Sequence, residues 1–163
     1  MPPTPPPRTV FLDSGVIVDG CFSEWSAAKG LLILAAQHPQ HYTIVLAEAV
    51  DAEVRRALMR KAAGLPPADG QKLLATYPAW LSRVQVSHWP LPIAADVARY
   101  RSLMLPALKH LNDLPAAVTA LQAQPDWVLS TNGAHWGAAL AGRTGLRVAH
   151  PREFLEYLSH VRP

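Results

Sequence analysis

The chain has 163 residues, of which 50% are hydrophobic, enough for about one domain with a single core, and this composition excludes a disordered protein. The 15 Lys and Arg residues against 12 Asp and Glu residues give a formal net charge of +3, an ordinary surface excess that identifies no partner by itself. The single cysteine, Cys21, excludes an internal disulfide and a cysteine zinc site, and it favours a reducing compartment.

The N-terminal segment MPPTPPP is rich in proline and predicts a disordered, extended tail over residues 1–7, so that residues 8–163 form a single domain. The tail lacks the apolar segment of a secretory signal, and no later apolar run reaches the roughly 18 residues of a membrane span. We therefore expect a cytoplasmic protein that makes no contact with a membrane.

Strands and helices alternate along the predicted domain. The predicted strands cover 10–12, 42–47, 84–89, 126–130 and 146–149. The predicted helices cover 23–37, 48–64, 66–83 with an interruption at Pro78, 92–111 with a break near Pro106, 113–124, 133–143 and 151–161. Short apolar strands separated by helices indicate an α/β fold with three layers: a mostly parallel central sheet of four or five strands and helices on both faces.

An acid directly follows the first predicted strand. The apolar run of residues 10–12 ends at Asp13, which precedes Ser14. In parallel sheets, ligands bind outside the carboxyl ends of strands, where the strand order reverses. The sequence therefore predicts Asp13 at a ligand-binding edge, although an Asp in this position can also simply cap the following helix.

A second acid, Glu53, lies on the apolar face of the helix predicted over 48–64, three residues after Val50. Burying a carboxylate on the apolar face of a helix costs free energy, unless an opposite charge compensates it or the side chain reaches the solvent-exposed rim of that face. Glu53 therefore needs a metal, a cation or a rim position, and pairing with Arg56 or Lys61 is the structural alternative.

Two further polar positions precede helices. Asp113 opens the segment "NDLPAAVTAL", where an Asp followed by a first-turn proline is an ordinary helix N-cap. Asn132 follows the strand of "PDWVLSTNGAHW", where the Asn-Gly pair also favours a simple polar turn.

Taken together and in this order, these motifs resemble the PIN-domain nucleases. The segment "GLRVAHPREFLEYL" also resembles the last strand and helix of the subgroup related to bacterial toxin ribonucleases, and the resemblance covers about residues 8–159. It implies that Asp13, Glu53 and Asp113 form an acidic triad. Asn132 stands at the fourth position, where the family often has Asp, and removes one negative charge from the site.

The resemblance implies a metal-dependent endoribonuclease that cleaves single-stranded RNA. Oxygen ligands without Cys or His clusters select a hard ion, Mg²⁺ or Mn²⁺, which can activate water for attack on a phosphodiester. Asp13 and Asp113 would bind the ion directly, Glu53 would bind it or position a water, and Asn132 would be a neutral ligand or hold a water. Ser14 and Thr131 would orient substrate or water around it.

Other side chains have candidate roles in binding nucleic acid. Arg55, Arg56 and Arg60 could contact the phosphate backbone, although a solvated helix face is the more usual position for such residues. Trp136 is the tryptophan considered for base stacking. His135, beside it, is interpreted as a surface or capping residue in preference to a general base.

Alternative functions and partners stay open at the level of the sequence. A PIN-like RNA-binding or regulatory module weakened by Asn132 is one alternative, and an unrelated small-molecule-binding α/β domain is another, although no Gly-rich phosphate loop supports the latter. By analogy with the toxin subgroup, an antitoxin protein and a homodimer are expected as partners, but no residue indicates either.

Overall fold

The computed structural model describes residues 8–108 and 110–160, so the predicted tail over residues 1–7 lies outside the described part. The strands are β1 (Arg8–Leu12), β2 (Tyr42–Ala47), β3 (Gln85–Trp89), β4 (Trp127–Leu129) and β5 (Val148–Ala149). The helices are α1 (Ser14–Phe22), α2 (Ala27–Gln37), α3 (Glu48–Ala63), α4 (Pro67–Leu81), α5 (Ala94–Met104), α6 (Leu114–Ala123), α7 (Ala138–Thr144) and α8 (Pro151–His160), and a short 3₁₀ helix spans Leu111–Asp113.

The five strands form one parallel sheet in the order β3-β2-β1-β4-β5. The central position of β1 places Phe11 opposite Val45 on one side and opposite Val128 on the other. The chain adds strands outward from β1 in one direction and then returns to add β4 and β5 in the other. The strand order therefore reverses between β1 and β4, and this reversal opens a crevice at their carboxyl ends.

The core lies on both faces of this sheet, which confirms the predicted three-layer α/β architecture. Phe11, Ile44 and Leu129 on the three central strands are almost completely buried, as continuous apolar runs in a covered parallel sheet require. Cys21 is a buried free cysteine. No helix in the described ranges is both long and apolar enough to cross a membrane.

Two predicted elements near the N-terminal half are wrong in detail. The helix predicted over 23–37 begins only at Ala27, because the hydroxyl of Ser26 accepts a hydrogen bond of 3.0 Å from the Lys29 N–H and caps α2 there. The predicted interruption at Pro78 is absent, since α4 continues through it. Trp80 is buried in the next turn and donates its indole N–H to the Leu32 carbonyl at 2.9 Å, so tertiary packing holds a turn that proline weakens.

The helix predicted over 133–143 begins late, at Ala138. The preceding residues form a turn in which the Trp136 N–H donates to the Asn132 carbonyl at 2.9 Å. Gly137 is in an extended conformation and approaches the Gly133 carbonyl so closely that a Cβ would clash with it. The extended backbone of Gly137 thus interrupts the helix that the sequence predicted from residue 133.

Gly20 provides a test of the α1 and α2 packing. A Cβ at this position would lie 2.7 Å from Leu32 Cγ and 3.2 Å from the Ala28 carbonyl oxygen. We expect Gly20→Ala to lower the free energy of unfolding by about 1–3 kcal/mol through overpacking, measured by urea denaturation followed by tryptophan fluorescence.

Gly142 is the matched control, because it is also helical and a Cβ there would meet nothing within 4 Å. Gly142→Ala should be neutral or stabilising by up to about 1 kcal/mol. Equal effects of the two substitutions would show that close packing at Gly20 does not matter.

Candidate active site

Asp13 lies at the point where the strand order reverses. Its N–H donates to the Leu129 carbonyl at 3.0 Å, across the gap between the ends of β1 and β4. Its Oδ1 accepts from the Ser14 N–H at 2.8 Å, and its Oδ2 accepts from the Ser130 hydroxyl at 3.0 Å. The carboxylate is therefore fixed by the first residue of α1 and by the residue that follows β4, and each oxygen keeps acceptor capacity beyond the hydrogen bond that it makes.

Burial raises the pKa of the Asp13 carboxyl from its ordinary 3.8 to about 6. The hydrogen bonds from Ser130 and Ser14 oppose this shift, whereas the negative charges of Glu53 and Asp113 add to it. The three acids thus lie within electrostatic reach of one another, although they come from separate segments of the chain. Such uncompensated negative charge is what a bound divalent cation would neutralise.

Glu53 occupies the exposed rim of the site, on the second turn of α3. Within the described ranges, Arg55 forms an ion pair with Asp51, and the imidazole of His135 lies against Asp113, but neither contact includes Glu53. The suggested pairing of Glu53 with Arg56 or Lys61 is therefore not formed. A rim position, where water solvates the carboxylate, explains how α3 tolerates this charge.

Asp113 does not cap α6, so the capping interpretation of this residue is wrong. Its backbone is helical, at φ −84° and ψ −9°, and its side chain makes no capping hydrogen bond. The carboxylate instead approaches His135, with Oδ2 3.4 Å from the buried Nδ1 of the imidazole, outside hydrogen-bonding geometry. His135 has only 12% of its side chain exposed, which corrects its interpretation as a surface residue.

The segment after β4 completes the wall of the site. Ser130, which the sequence analysis missed, is buried and bridges Asp13 to this segment, because its hydroxyl also accepts the Asn132 N–H at 3.0 Å. Asn132 itself is exposed. Thr131 Oγ1 lies only 2.9 Å from the position of a Cβ added to Gly15, so Thr131 sits against the first turn of α1. Ser14 in that turn is buried.

Trp136 does not offer a stacking surface, contrary to the prediction. It is 3% exposed and packs against Phe11, with 5.5 Å between the ring centroids. The aromatic ring therefore anchors the turn after β4 to the central strand. Its apolar surface is used in the core.

Glu53 and Asp113 line an open groove of about 390 Å³ together with Arg56 and Arg60. Arg55, which was grouped with these two arginines in the sequence, lines a different groove. Its Nε binds Asp51 at 3.0 Å, and its guanidinium lies 5.3 Å from the Tyr77 ring centroid. The structure thus brings Arg56 and Arg60, but not Arg55, to the acidic residues.

The donors of this site fit a hydrated hard cation. No three His, Cys, Asp or Glu side chains in the described part of the chain lie close enough to form a ready metal cage. Mg²⁺ usually binds through one or two carboxylates, keeps several waters and adds substrate phosphates, so it does not need such a cage. Asp13, with Glu53 and Asp113 in electrostatic reach, offers the oxygen ligands that this ion prefers.

Comparisons with known proteins agree on the fold. The similar solved structures include VapBC2 from Rickettsia felis bound to a promoter DNA fragment (TM-score 0.57, 16% identity, 87% of this chain and 98% of that chain). FitAcB from Neisseria gonorrhoeae is also similar, with a TM-score of 0.55 and 18% identity over 88% of this chain and 98% of that chain. PAE2754 from Pyrobaculum aerophilum has a TM-score of 0.58 and 15% identity over 94% of this chain and 90% of that chain. No protein-family model and no curated protein matches the sequence.

The chain therefore has a PIN-like three-layer α/β fold. The resemblance noted from the sequence motifs is thus confirmed at the level of the fold.

The buried carboxylate predicts a pH-dependent stability. Because the pKa of Asp13 is about 6 in the folded chain and near 3.8 when unfolded, its ionisation costs roughly 3 kcal/mol of stability. This cost is absent below pH 3.8, grows as the pH rises and is complete above pH 6. We expect Asp13→Asn to raise the free energy of unfolding at pH 7.5 by about 1–3 kcal/mol, but not at pH 4.

The measurement is urea denaturation of both proteins across this pH range, with EDTA present to remove metal. Asp69→Asn, at an exposed position in α4, is the control and should change little at either pH. A destabilised Asp13→Asn protein at pH 7.5 would contradict the raised pKa of Asp13.

Proposed function

We propose that this chain is a metal-dependent endoribonuclease that hydrolyses phosphodiester bonds of single-stranded RNA, with Mg²⁺ or Mn²⁺ as its cofactor. The observation that carries the proposal is the electrostatic convergence of Glu53 and Asp113 on the buried Asp13 at the crevice of a PIN-like sheet. A buried carboxylate whose charge is disfavoured by two further acids favours a cation nearby, and α/β sheets bind ligands at such crevices.

The metal would be held by Asp13, Glu53 and Asp113, and when bound it supplies an activated water and charge stabilisation for the departing oxygen. Asp13 provides the fixed ligand, because Ser14 and Ser130 hold both of its oxygens in place. Glu53 at the rim can bind the ion or position a water.

Neighbouring side chains would orient the substrate around these acids. Asn132 offers a neutral oxygen and an amide donor for water, and Ser14 and Thr131 would orient substrate or water nearby. Arg56 and Arg60 offer planar donors that suit phosphate.

We propose further that the chain acts in the cytoplasm as the toxin of a toxin–antitoxin pair, as the PIN-domain resemblance implies, and its fold is similar to those of VapBC2 and FitAcB. The partners would then be RNA, an antitoxin protein and, as the resemblance implies, a second copy of the chain. A second candidate function is a PIN-like module that binds RNA without cutting it. The neutral side chain of Asn132 favours this candidate, because it weakens the attraction for a metal.

Cleavage of a mixed pool of single-stranded RNA, with Mg²⁺ or Mn²⁺ added, distinguishes the two functions. We expect cleavage to require metal and to fall at least about 100-fold in Asp13→Asn and Asp113→Asn, the scale of losing one stabiliser of transition-state charge. Asp69→Asn should cleave like the wild type. Binding of RNA without cleavage under either metal would instead support the binding module.

The two arginines of the groove provide a separate test of RNA binding. We expect Arg56→Ala combined with Arg60→Ala to weaken RNA binding for all sequences and to reduce the slope of log affinity against log salt by about 0.7 for each phosphate that is no longer neutralised. The measurement is fluorescence anisotropy with EDTA present, to prevent cleavage.

The control is Arg152→Ala, which removes one charge from the exposed surface of α8 outside this groove and is compared with each single variant, Arg56→Ala and Arg60→Ala. An equal loss of affinity and slope in the control would show that general charge, and not the groove, holds the RNA.

A further inference from the structure

Two imidazole rings are stacked at the edge of the candidate active site. The centroids of His110 and His135 are 4.2 Å apart, and the ring planes differ by 25°. His135 is the inner ring, with 12% of its side chain exposed, whereas His110 is the outer ring and is exposed. Because His135 covers one face of His110, the opposite face of that ring is the surface left for a ligand.

The backbone and the inner ring both fix His110 in relation to Asp113. The Asp113 N–H donates to the His110 carbonyl at 3.1 Å across the 3₁₀ helix. Beneath the outer ring, Nδ1 of His135 lies 3.4 Å from Asp113 Oδ2 without a hydrogen bond. The backbone hydrogen bond and the stacked ring thus place His110 next to Asp113, which lines the acidic groove.

The groove that Glu53 and Asp113 line also contains side chains that can bind the phosphate of a nucleotide. Asn112 and Asp113, just after His110 in the chain, line the groove, and Arg56 and Arg60 line it as well. His110 does not line the groove itself but precedes Asn112 by two residues, so a strand whose phosphates lie near the arginines would reach the imidazole with a base just beyond Asn112. Stacking needs a free base face, which a duplex does not offer.

We propose that the outer face of His110, supported by His135, is a stacking site for one unpaired base of the nucleic acid bound in this groove. The proposal rests on the proposed nuclease function and specifies its substrate as a strand with at least one unstacked base next to Asp113. Stacking tolerates every base, so the site selects single strands over duplexes and not one sequence over another.

The test uses the full chain carrying Asp13→Asn, with EDTA present, so that binding is measured without cleavage. The probe is a short oligouridylate with a single 2-aminopurine, placed at each position in turn. In this background we expect fluorescence quenching at one position, and we expect His110→Ala to remove the quenching and weaken affinity about 5- to 150-fold, the range for one stacked base.

Three controls separate stacking from charge and from misfolding. His110→Phe keeps a flat ring without an imidazole and should retain the quenching and most of the affinity. An oligonucleotide lacking the base at the quenched position should bind equally to the His110→Ala protein and its parent. His38→Ala removes an exposed histidine paired with His41 before β2, and it should change nothing.

Unchanged affinity and quenching in His110→Ala would overturn the stacking site, as would a loss in His110→Phe equal to that in His110→Ala. If the parent protein does not bind the oligonucleotide, the stacking site is also wrong. The nuclease is judged by the separate metal-dependent cleavage assay on wild-type protein. Stacking without cleavage would therefore reject only the nuclease, and cleavage without stacking would reject only this inference.

Discussion

The candidate site depends on one buried carboxylate held between two strand ends. Asp13 terminates β1, and the Ser130 hydroxyl that binds it follows β4, the strand that enters the sheet on the other side of the reversal. Burial of this charge is unfavourable, and the hydrogen bonds from Ser14 and Ser130 offset the cost only in part, so the pKa of Asp13 stays raised. Glu53 and Asp113 increase the cost. The ionised form of Asp13 is therefore unfavourable in the fold, and a bound cation or a proton at this position would remove that cost.

Helix α3 resolves an apparent conflict in this site. Acids that attract a metal also repel the phosphates of a nucleic acid. Glu53, Arg56 and Arg60 lie three and four residues apart along α3, which puts them on one side of the helix, and all three line the same groove. The helix therefore presents one negative charge near Asp113 and two positive charges further along. A polyanion can approach the acidic crevice along a wall that attracts it.

Much of the fold was predictable from the sequence, because buried parallel strands form continuous apolar runs and Ser, Pro and Gly mark many helix ends. The acids of the site were also predictable as residue types at strand ends and on a helix face. The contacts that define their environment were not: Ser130 and Asp13 are 117 residues apart, and no local pattern indicates that their side chains meet. Local patterns also favoured capping by Asp113 and exposure of Trp136 and His135, whereas long-range packing decided all three. The His110 and His135 stack had no periodic signal, since the two rings meet only through the fold.

The separation of Asp13 from Ser130 along the chain also has a consequence for biosynthesis. A ribosome makes β1 early, but the strand whose end completes the surroundings of Asp13 emerges only 117 residues later. Until β4 takes its place beside β1, the carboxylate stays open to water, and the crevice between the two strands does not exist. A nascent or truncated chain lacking β4 would carry the acids of the site without their arrangement. Any activity that needs this crevice is thus withheld until most of the domain has been synthesised and folded.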